Sequence, residues 1–217
     1  MSQPLEQTAR LGEQHLRYEY RTYSGKLVAL PFADPHEDRN YSAKDIANHL
    51  GHIFYFPEST HAPFSAAQYA VELAKSVWTK YGPIIQLHAL LRNAFEAYAH
   101  HRSPLAELAE KALTMPPLVT DRRDVLQETV QARVLQELRI PDLGSLTGTA
   151  RNAILAAKAK LDVTLVRDIG AARIDHGAPD AQPLPRIIRP QPWDHAIERY
   201  LKTYRELTAL CGLPAVE

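Results

Sequence analysis

Residues 87–101, with the sequence LHALLRNAFEAYAHH, place three histidines, an Arg-Asn pair and one glutamate in an otherwise apolar run. Imidazole nitrogens and carboxylate oxygens are common ligands of divalent cations, and a metal-bound water can attack a phosphate ester. On a buried helix, the same side chains can also serve as ordinary capping or surface groups. The segment is therefore a metal-binding catalytic helix, a former one, or a core helix with a few polar residues.

The spacing of the polar side chains limits what a metal site could use. His88, Arg92 and Glu96 recur every four residues and would share one face of a continuous helix. His88 and Glu96 would then lie about 12 Å apart along the axis, at ~1.5 Å per residue, so one ion could not reach both. Arg92 lies between them and has no lone pair to donate. A rebuilt site would have to use His100 and His101 together with Glu96.

The composition sets bounds on partners and location. The chain has 217 residues, of which 45% are hydrophobic, and its 25 basic residues balance 25 acidic ones. Zero formal charge provides no global field for nucleic acid or an anionic membrane, so we expect neither partner. The single cysteine, Cys211, and the lack of an apolar run of ~18 residues are typical of a cytoplasmic protein. We therefore predict a cytoplasmic location.

The order of hydrophobic patterns and turn signals predicts one mostly helical domain over residues 1–217, an all-α fold with a small β-hairpin. The hairpin is centred on Ser24-Gly25, between alternating aromatic and β-branched residues. The domain divides into an N-terminal extension with the hairpin at 1–41, a helical core at 42–169, and a wrapping loop with a C-terminal helix at 170–217.

Capping residues and breakers divide the core into helices. Ser42 is predicted to cap residues 43–52, and Ser65 a helix that ends at Gly82-Pro83. Residues 84–99 are apolar nearly all round, which is typical of a central, buried helix. The remaining helices are predicted after Pro104, at 123–139, at 149–169, and from a cap at Asp194.

The order of these segments resembles the HD-superfamily phosphohydrolases, in the small branch of 5′-deoxynucleotidases often encoded by bacteria and phages. Five stretches carry the resemblance: TYSGKLVAL, YSAKDIANHLGHIFYF, FSAAQYAVELA, LHALLRNAFEAYAHHRSPL and KLDVTLVRDI. The tail, WDHAIERYLKTYREL, also fits the family's last helix. They cover nearly the whole chain. The resemblance implies an all-α HD-domain fold and, because the family commonly dimerises, a candidate homodimer.

The resemblance also implies where a metal site would lie. Family members hold a divalent metal with a histidine, an adjacent His-Asp pair and a late aspartate, and metal-bound water attacks the phosphorus of a nucleotide. The matching positions here are Tyr69, the pair Arg92-Asn93, and Asp162, while Glu96 matches a family glutamate. Three of the four ligands are therefore changed, and only Asp162 is retained.

The changed residues argue against the family's metal. A neutral phenol and an amide are poor ligands for most divalent ions, and a fixed guanidinium charge repels a cation. We therefore predict that Arg92 takes the place of the missing metal and pairs with Asp162, with Glu96 sharing the charge. We expect no metal ion and no other cofactor.

Three functions remain open. The leading hypothesis is a catalytically silent HD-domain protein that binds a nucleotide, another small phosphorylated ligand or a partner. The alternatives are an active phosphohydrolase, metal-free or with a metal site rebuilt from Glu96, His100, His101 and Asp162, and a structural protein with a vestigial pocket. No catalytic residue is assigned, although Glu96 would be the general base of an active enzyme. The predicted ligand-binding residues are Tyr69, His88, Arg92, Asn93, Glu96, His100, His101 and Asp162.

The altered ligand positions generate a direct prediction. Protein purified without chelators or a histidine tag should carry no stoichiometric divalent metal, because Tyr69, Arg92 and Asn93 replace nitrogen and oxygen ligands. Elemental analysis measures this. About one equivalent of manganese, iron, cobalt, nickel or zinc per chain would instead favour the rebuilt-site enzyme.

Overall fold

A computed structural model of the chain describes residues 18–30, 41–56, 59–77, 81–98, 120–141, 148–171 and 180–215. The chain divides into two compact units, Met1–Asn40 and Tyr41–Glu217. The described part is mostly helical, which confirms the predicted fold class. The expected organisation as a single domain stays a prediction.

The first unit contains the predicted hairpin. Strands β1 (Tyr18–Arg21) and β2 (Leu27–Leu30) pair antiparallel, with Arg21 opposite Leu27. Gly25 has a φ of 83° in the connecting turn, a conformation that glycine adopts without a Cβ clash. Its amide donates to the Thr22 carbonyl at 2.9 Å. The hairpin prediction is therefore confirmed, while the loop predicted at 31–40 lies outside the described residues.

The second unit is built from helices. In chain order they are α1 (Ala43–His52), α2 (Ala66–Ser76), α3 (Pro83–Leu91), a short 3₁₀ helix (Ala94–Ala97), α4 (Thr120–Glu137), α5 (Gly148–Ile169) and α6 (Trp193–Leu210). Helix α6 packs against α1, α2 and α3, helix α5 packs against α2 and α3, and α4 contacts the 3₁₀ helix. The helix predicted after Pro104 lies outside the described ranges. None of the helices in those ranges is both long and apolar enough to cross a membrane.

Two of the predicted helix caps are confirmed by their hydrogen bonds. The Ser42 hydroxyl accepts from the Asp45 amide at 3.1 Å, and the Ser65 hydroxyl accepts from the Gln68 amide at 3.2 Å. Each bond satisfies one of the free amide groups in the first turn of a helix. Ser42 also donates to the Asp45 carboxylate at 2.8 Å, so the buried acid is bonded to its own cap. Helices α1 and α2 therefore begin where the sequence predicts.

Helix α2 ends earlier than predicted. Its last residue is Ser76 and Val77 caps it, whereas the sequence was interpreted as helical up to Gly82. Gly82 has a φ of 84° and directly precedes Pro83, the first residue of α3. Proline suits that position because the first amide of a helix needs no intrahelical partner. The Gly82-Pro83 pair therefore starts a helix and does not end one.

The later helices follow the predictions more closely. Helix α4 covers Thr120–Glu137 against a prediction of 123–139, and α5 ends at Ile169, as expected. Helix α6 starts at Trp193, so Asp194 lies in the first turn and is not the N-cap. The proline at position 192 takes the cap position without a side-chain hydrogen bond.

The core lies between α6 and the first three helices. Tyr200 and Tyr204 of α6 are fully buried, as are Leu90 of α3 and Phe64 ahead of α2. Helix α1 approaches α6 so closely that a Cβ atom at Gly51 would lie 2.4 Å from Ile197 Cγ1. Any larger residue at position 51 would therefore force the Ile197 side chain or the helix to shift.

The central helix is shorter than predicted, and this is the main correction to the fold. Helix α3 ends at Leu91 and not near residue 99. The Arg92 amide bonds three residues back to Ala89, at 3.4 Å, and Asn93 adopts a φ of −106° and a ψ of 18° before the 3₁₀ helix begins. The polar stripe predicted along one continuous face from His88 is therefore wrong, because the face ends at Leu91.

A side chain from α4 bridges this break. The Gln131 amide nitrogen donates to the Leu91 carbonyl at 2.8 Å, and its oxygen accepts from the Phe95 amide at 3.3 Å. One side chain thus bonds to a backbone acceptor before the break and a backbone donor after it. Insertion of a side chain into the helical ladder is a recognised cause of sharp breaks in helices.

Residues 180–192, here named the strap, run across α2 and α5 and are held mainly by their backbone. Thr164 and Asp168 of α5 accept from the amides of Leu184 and Ile188, at 2.8 and 2.7 Å. Gln68 of α2 donates to the Arg189 carbonyl at 2.7 Å and accepts from the amide of residue 191 at 2.9 Å. The strap thus fits the predicted wrapping loop, whose residues 172–179 lie outside the described part.

The bridge across the helix break leads to a stability prediction. Gln131→Leu should lower the free energy of unfolding by about 1–3 kcal/mol, because it leaves a carbonyl and an amide without their partner. Gln136→Leu is the matched control, since Gln136 lies on the same helix with an exposed side chain, and it should change stability by less than about 0.5 kcal/mol. Urea unfolding measures both. Equal losses in the two variants would show that the bridge contributes nothing.

Candidate functional site

Two carboxylates and two tyrosines form the centre of the candidate site. We name Tyr55, Tyr69, Asn93, Glu96, Lys158 and Asp162 the tyrosine–carboxylate cluster. The Tyr69 hydroxyl, on α2, donates to Asp162 Oδ1 at 2.8 Å. Lys158, one turn earlier on α5, donates from Nζ to Asp162 Oδ2 at 2.7 Å. Both oxygens of the Asp162 carboxylate therefore have a donor.

The second half of the cluster is built around Tyr55. Its hydroxyl lies 2.8 Å from each oxygen of the Glu96 carboxylate and shares its proton between them. The Asn93 side-chain amide donates to the same hydroxyl oxygen. The rings of Tyr55 and Tyr69 meet edge to face, with centroids 4.9 Å apart, an attractive geometry for two aromatic rings. The two carboxylates are thus linked through a pair of packed tyrosines.

Local backbone structure fixes the position of Tyr55. Its amide donates to the Phe64 carbonyl at 2.8 Å, so the segment after α1 lies against the start of α2. The neighbouring residue, Phe56, is buried and has a φ of 55°, which a bulky side chain rarely adopts. Residues with such backbone strain are concentrated at functional sites, where surrounding contacts enforce them. The ring of Tyr55 is consequently held in one place.

The electrostatics of the cluster keep both phenols protonated. Burial raises the pKa of Tyr69 well above its ordinary value, and the negative charge of Asp162 raises it further. Burial and the neighbouring Glu96 raise the pKa of Tyr55 in the same way. The positive charge of Arg92 acts in the opposite direction on Tyr69, which places this guanidinium within electrostatic range. At neutral pH, both hydroxyls are therefore hydrogen-bond donors to carboxylates.

The partner of Asp162 differs from the one predicted. The cation in contact with its carboxylate is Lys158, at 2.7 Å, and not Arg92. The two residues are four apart on α5, so they share a helical face and meet without any tertiary contact. The predicted counter-charge was on the central helix, whereas the spacing of four residues on α5 provides a nearer one. Arg92 still contributes positive charge to the site, through its effect on Tyr69.

The structure brings most of the predicted binding residues together. Tyr69, Asn93, Glu96 and Asp162 belong to the cluster, and Arg92 lies at the helix break beside it. The ring of the buried His88 is directed elsewhere: its Nε2 atom lies 2.9 Å from the Pro141 carbonyl, just after α4. The remaining two, His100 and His101, lie outside the described residues.

Sequence reasoning missed two members of the cluster. Tyr55 stands in a stretch that carries the family resemblance, but its side chain has no metal-binding chemistry to mark it. Lys158 could have been found from its spacing of four residues to Asp162, the commonest arrangement of a helical ion pair. The importance of this ion pair depends on the burial of Asp162, which the hydrophobic pattern of α5 alone does not reveal.

The chain matches no family model and no curated protein. Within the residues that the structure describes, no three side chains of histidine, cysteine, aspartate or glutamate come together as a group that could hold a metal ion. The resemblance to HD-superfamily phosphohydrolases therefore remains an interpretation of the sequence.

The hydrogen bond between Tyr69 and Asp162 can be tested with a matched pair of tyrosines. Tyr69→Phe should reduce the free energy of unfolding by about 1.5–3 kcal/mol, because the buried carboxylate loses a donor. Tyr200→Phe is the control: this hydroxyl is equally buried and makes no hydrogen bond within the described part of the chain. Its removal should be neutral or stabilising. Chemical denaturation measures the free energy of unfolding of both variants. Similar losses of stability would contradict the assigned role of Tyr69.

Proposed function

We propose that the tyrosine–carboxylate cluster and Arg92 form a site that binds a small phosphorylated ligand, in the class of nucleotides, without metal-dependent turnover. The proposal takes up the resemblance to HD-superfamily phosphohydrolases, in which the matching positions hold a metal and a nucleotide. One observation carries it: side chains from four separated parts of the chain converge on one cluster, and the resemblance predicted four of them, Tyr69, Asn93, Glu96 and Asp162.

Positive charge in the site favours an anionic ligand. Lys158 is committed to Asp162, but the guanidinium of Arg92 makes no salt bridge and no side-chain hydrogen bond with any described residue. Guanidinium groups bind phosphate through two parallel hydrogen bonds, and Arg92 is half-buried, where such bonds are stronger than in water. Arg92 is therefore the side chain expected to hold the phosphate.

The chemistry of the carboxylates favours binding over hydrolysis. Both oxygens of Asp162 accept hydrogen bonds, and both oxygens of Glu96 face the Tyr55 hydroxyl. A phosphoryl transfer without metal would rest on Glu96 as the general base, which typically contributes about 10²–10⁴-fold. An active phosphohydrolase rebuilt around Glu96, Asp162, His100 and His101 is accordingly the second candidate, and a structural protein with a vestigial pocket is the third.

The proposal predicts how phosphate affinity depends on Arg92. Deoxynucleoside monophosphates should bind the chelator-treated protein in calorimetric titrations, and Arg92→Gln should weaken the affinity at least about tenfold, because it removes a charge-assisted pair of hydrogen bonds. Lys160→Gln is the matched control, since it removes the same charge from an exposed position on α5 and should leave affinity unchanged.

Three outcomes would count against this proposal, each in a different way. Release of inorganic phosphate with added manganese, lost on Glu96→Ala, would favour the phosphohydrolase. Absence of binding to any nucleoside monophosphate would favour the structural protein. Equal losses in Arg92→Gln and Lys160→Gln would indicate a general charge effect in place of a site at Arg92.

A further inference from the structure

A second group of charged residues lies where α2, the strap and α6 meet. At its centre is Glu72, whose side chain is only 5% exposed. Arg186 of the strap and Arg199 of α6 both form salt bridges with this carboxylate, Arg199 at 3.0 Å. Arg186 also donates to the Glu72 carbonyl at 3.3 Å and to the Ser76 hydroxyl at 3.2 Å. Two guanidinium groups are thus fixed around one buried acid.

A third cation stands on the same face of α2. Lys75 is three residues after Glu72 and therefore its neighbour on the helix surface. Arg186 binds residues 72 and 76, on either side of this lysine. We name Lys75, Arg186 and Arg199 the basic triad.

The triad carries more positive charge than Glu72 neutralises. Three cations surround one carboxylate, which leaves an excess of two positive charges. Glu206 is the other acid that acts on Lys75, but it is exposed and lies 3.9 Å from Lys202 on the same helix. Those two side chains cancel each other, so the excess remains.

Like charges lie close together here, and the pKa of Lys75 responds to them. The pKa of Lys75 is lowered, first by partial burial and then by the positive charges of Arg199 and Arg186, against the opposing effect of Glu72. An anion bound between these groups would relieve the repulsion and raise the pKa of the lysine. The Glu72 carbonyl that Arg186 contacts offsets only part of the excess, because a helix C-terminus carries about half a negative charge.

The arginines are fixed but not covered. Their side chains are 40% and 30% exposed, for Arg186 and Arg199, and Lys75 is exposed as well. Glu72 and Gln191 hold the two guanidinium groups in place, so a ligand need not immobilise them. Preorganised donors of this kind bind an anion with a smaller loss of side-chain entropy.

We propose that the basic triad is a second anion-binding site, which takes a phosphate dianion either free or as the terminal group of a small metabolite. The excess of two positive charges matches the charge of a phosphate near neutral pH. The site is built from α2, the strap and α6, and shares no residue with the tyrosine–carboxylate cluster or with Arg92.

A four-protein comparison tests this proposal separately from the function proposed above. Inorganic phosphate is titrated calorimetrically, at constant ionic strength, into the natural chain, Arg92→Gln, Lys75→Gln and the double variant. Arg92→Gln should keep the phosphate site at the triad, and the added Lys75→Gln change should weaken it at least about tenfold. Lys75 makes no salt bridge with Glu72 among the described residues, so the fold should tolerate its replacement.

Two further arms make the result specific. Lys160→Gln removes one charge from an exposed position on α5, outside the triad, and should leave phosphate affinity unchanged, while Lys75→Arg should retain binding. The Lys75 Cε resonance, followed by NMR during a pH titration, should report a higher pKa in saturating phosphate. Glucose 6-phosphate in place of phosphate distinguishes the two ligand sources, because binding to the Arg92→Gln protein that is tighter than the binding of inorganic phosphate would identify a metabolite as the ligand.

The proposal fails if the double variant binds phosphate as tightly as Arg92→Gln alone. It also fails if Lys160→Gln weakens binding as much as Lys75→Gln, since that would indicate a general effect of surface charge. Loss of nucleotide binding in Arg92→Gln, with phosphate still bound at Lys75, would support both sites independently.

Discussion

The position of the candidate site depends on one side-chain amide. Gln131 bonds to the Leu91 carbonyl and to the Phe95 amide, and it thereby stabilises the end of the central helix against continuation. A continuous helix would carry Asn93 and Glu96 on past their observed positions, at about 100° and 1.5 Å per residue. The break instead turns both side chains to the Tyr55 hydroxyl. The geometry of the site therefore depends on a residue of α4, although no member of the tyrosine–carboxylate cluster lies on that helix.

Burial of negative charge explains the rest of the cluster. A buried carboxylate without donors or a counter-charge costs several kcal/mol, and Asp162 meets that requirement through Lys158 and Tyr69. Glu96 is supported differently, by a phenol whose own oxygen is held by an amide. Neither arrangement involves Arg92, which leaves that cation available within the described part of the molecule. Hydrogen bonds thus hold both carboxylates of the site in place, while none of these bonds uses the guanidinium of Arg92.

How far the sequence predicts this structure depends on the range of the interactions involved. Most local signals gave correct predictions: the hairpin at Gly25, the caps at Ser42 and Ser65, and the end of α5 before Gly170 all depend on neighbours in the chain. The end of α2 and the cap at Asp194 were the exceptions. The break after Leu91 could not be read locally, because its cause is a glutamine 40 residues away. The apolar run continues through the break, so the hydrophobic pattern there is the same for a helix and for a 3₁₀ turn.

The residues of the candidate site show the same difference between local and long-range interactions. Tyr69, Asn93, Glu96 and Asp162 could be brought together only through the family resemblance, since they lie on α2, the break and α5. The spacing of four residues alone predicts a pair between Lys158 and Asp162, yet the Asp162 carboxylate was predicted to pair with Arg92. That error arose because an ion pair within one helix competes with an ion pair between helices, and the local pair forms without ordering any distant segment.

The path of the strap is determined by residues outside it, so most of its own residues can change without altering that path. Gln68, Thr164 and Asp168 bind amides and carbonyls of the strap, groups that every residue except proline supplies in full. Its route is thus encoded in α2 and α5, while most of its own side chains are unconstrained by those bonds. Relatives of this chain would then differ freely at positions such as Ile187, which is 69% exposed, and still follow the same course. Arg186 and Gln191, whose side chains bind α2 and Arg199, are positions in the strap where substitution would be less tolerated.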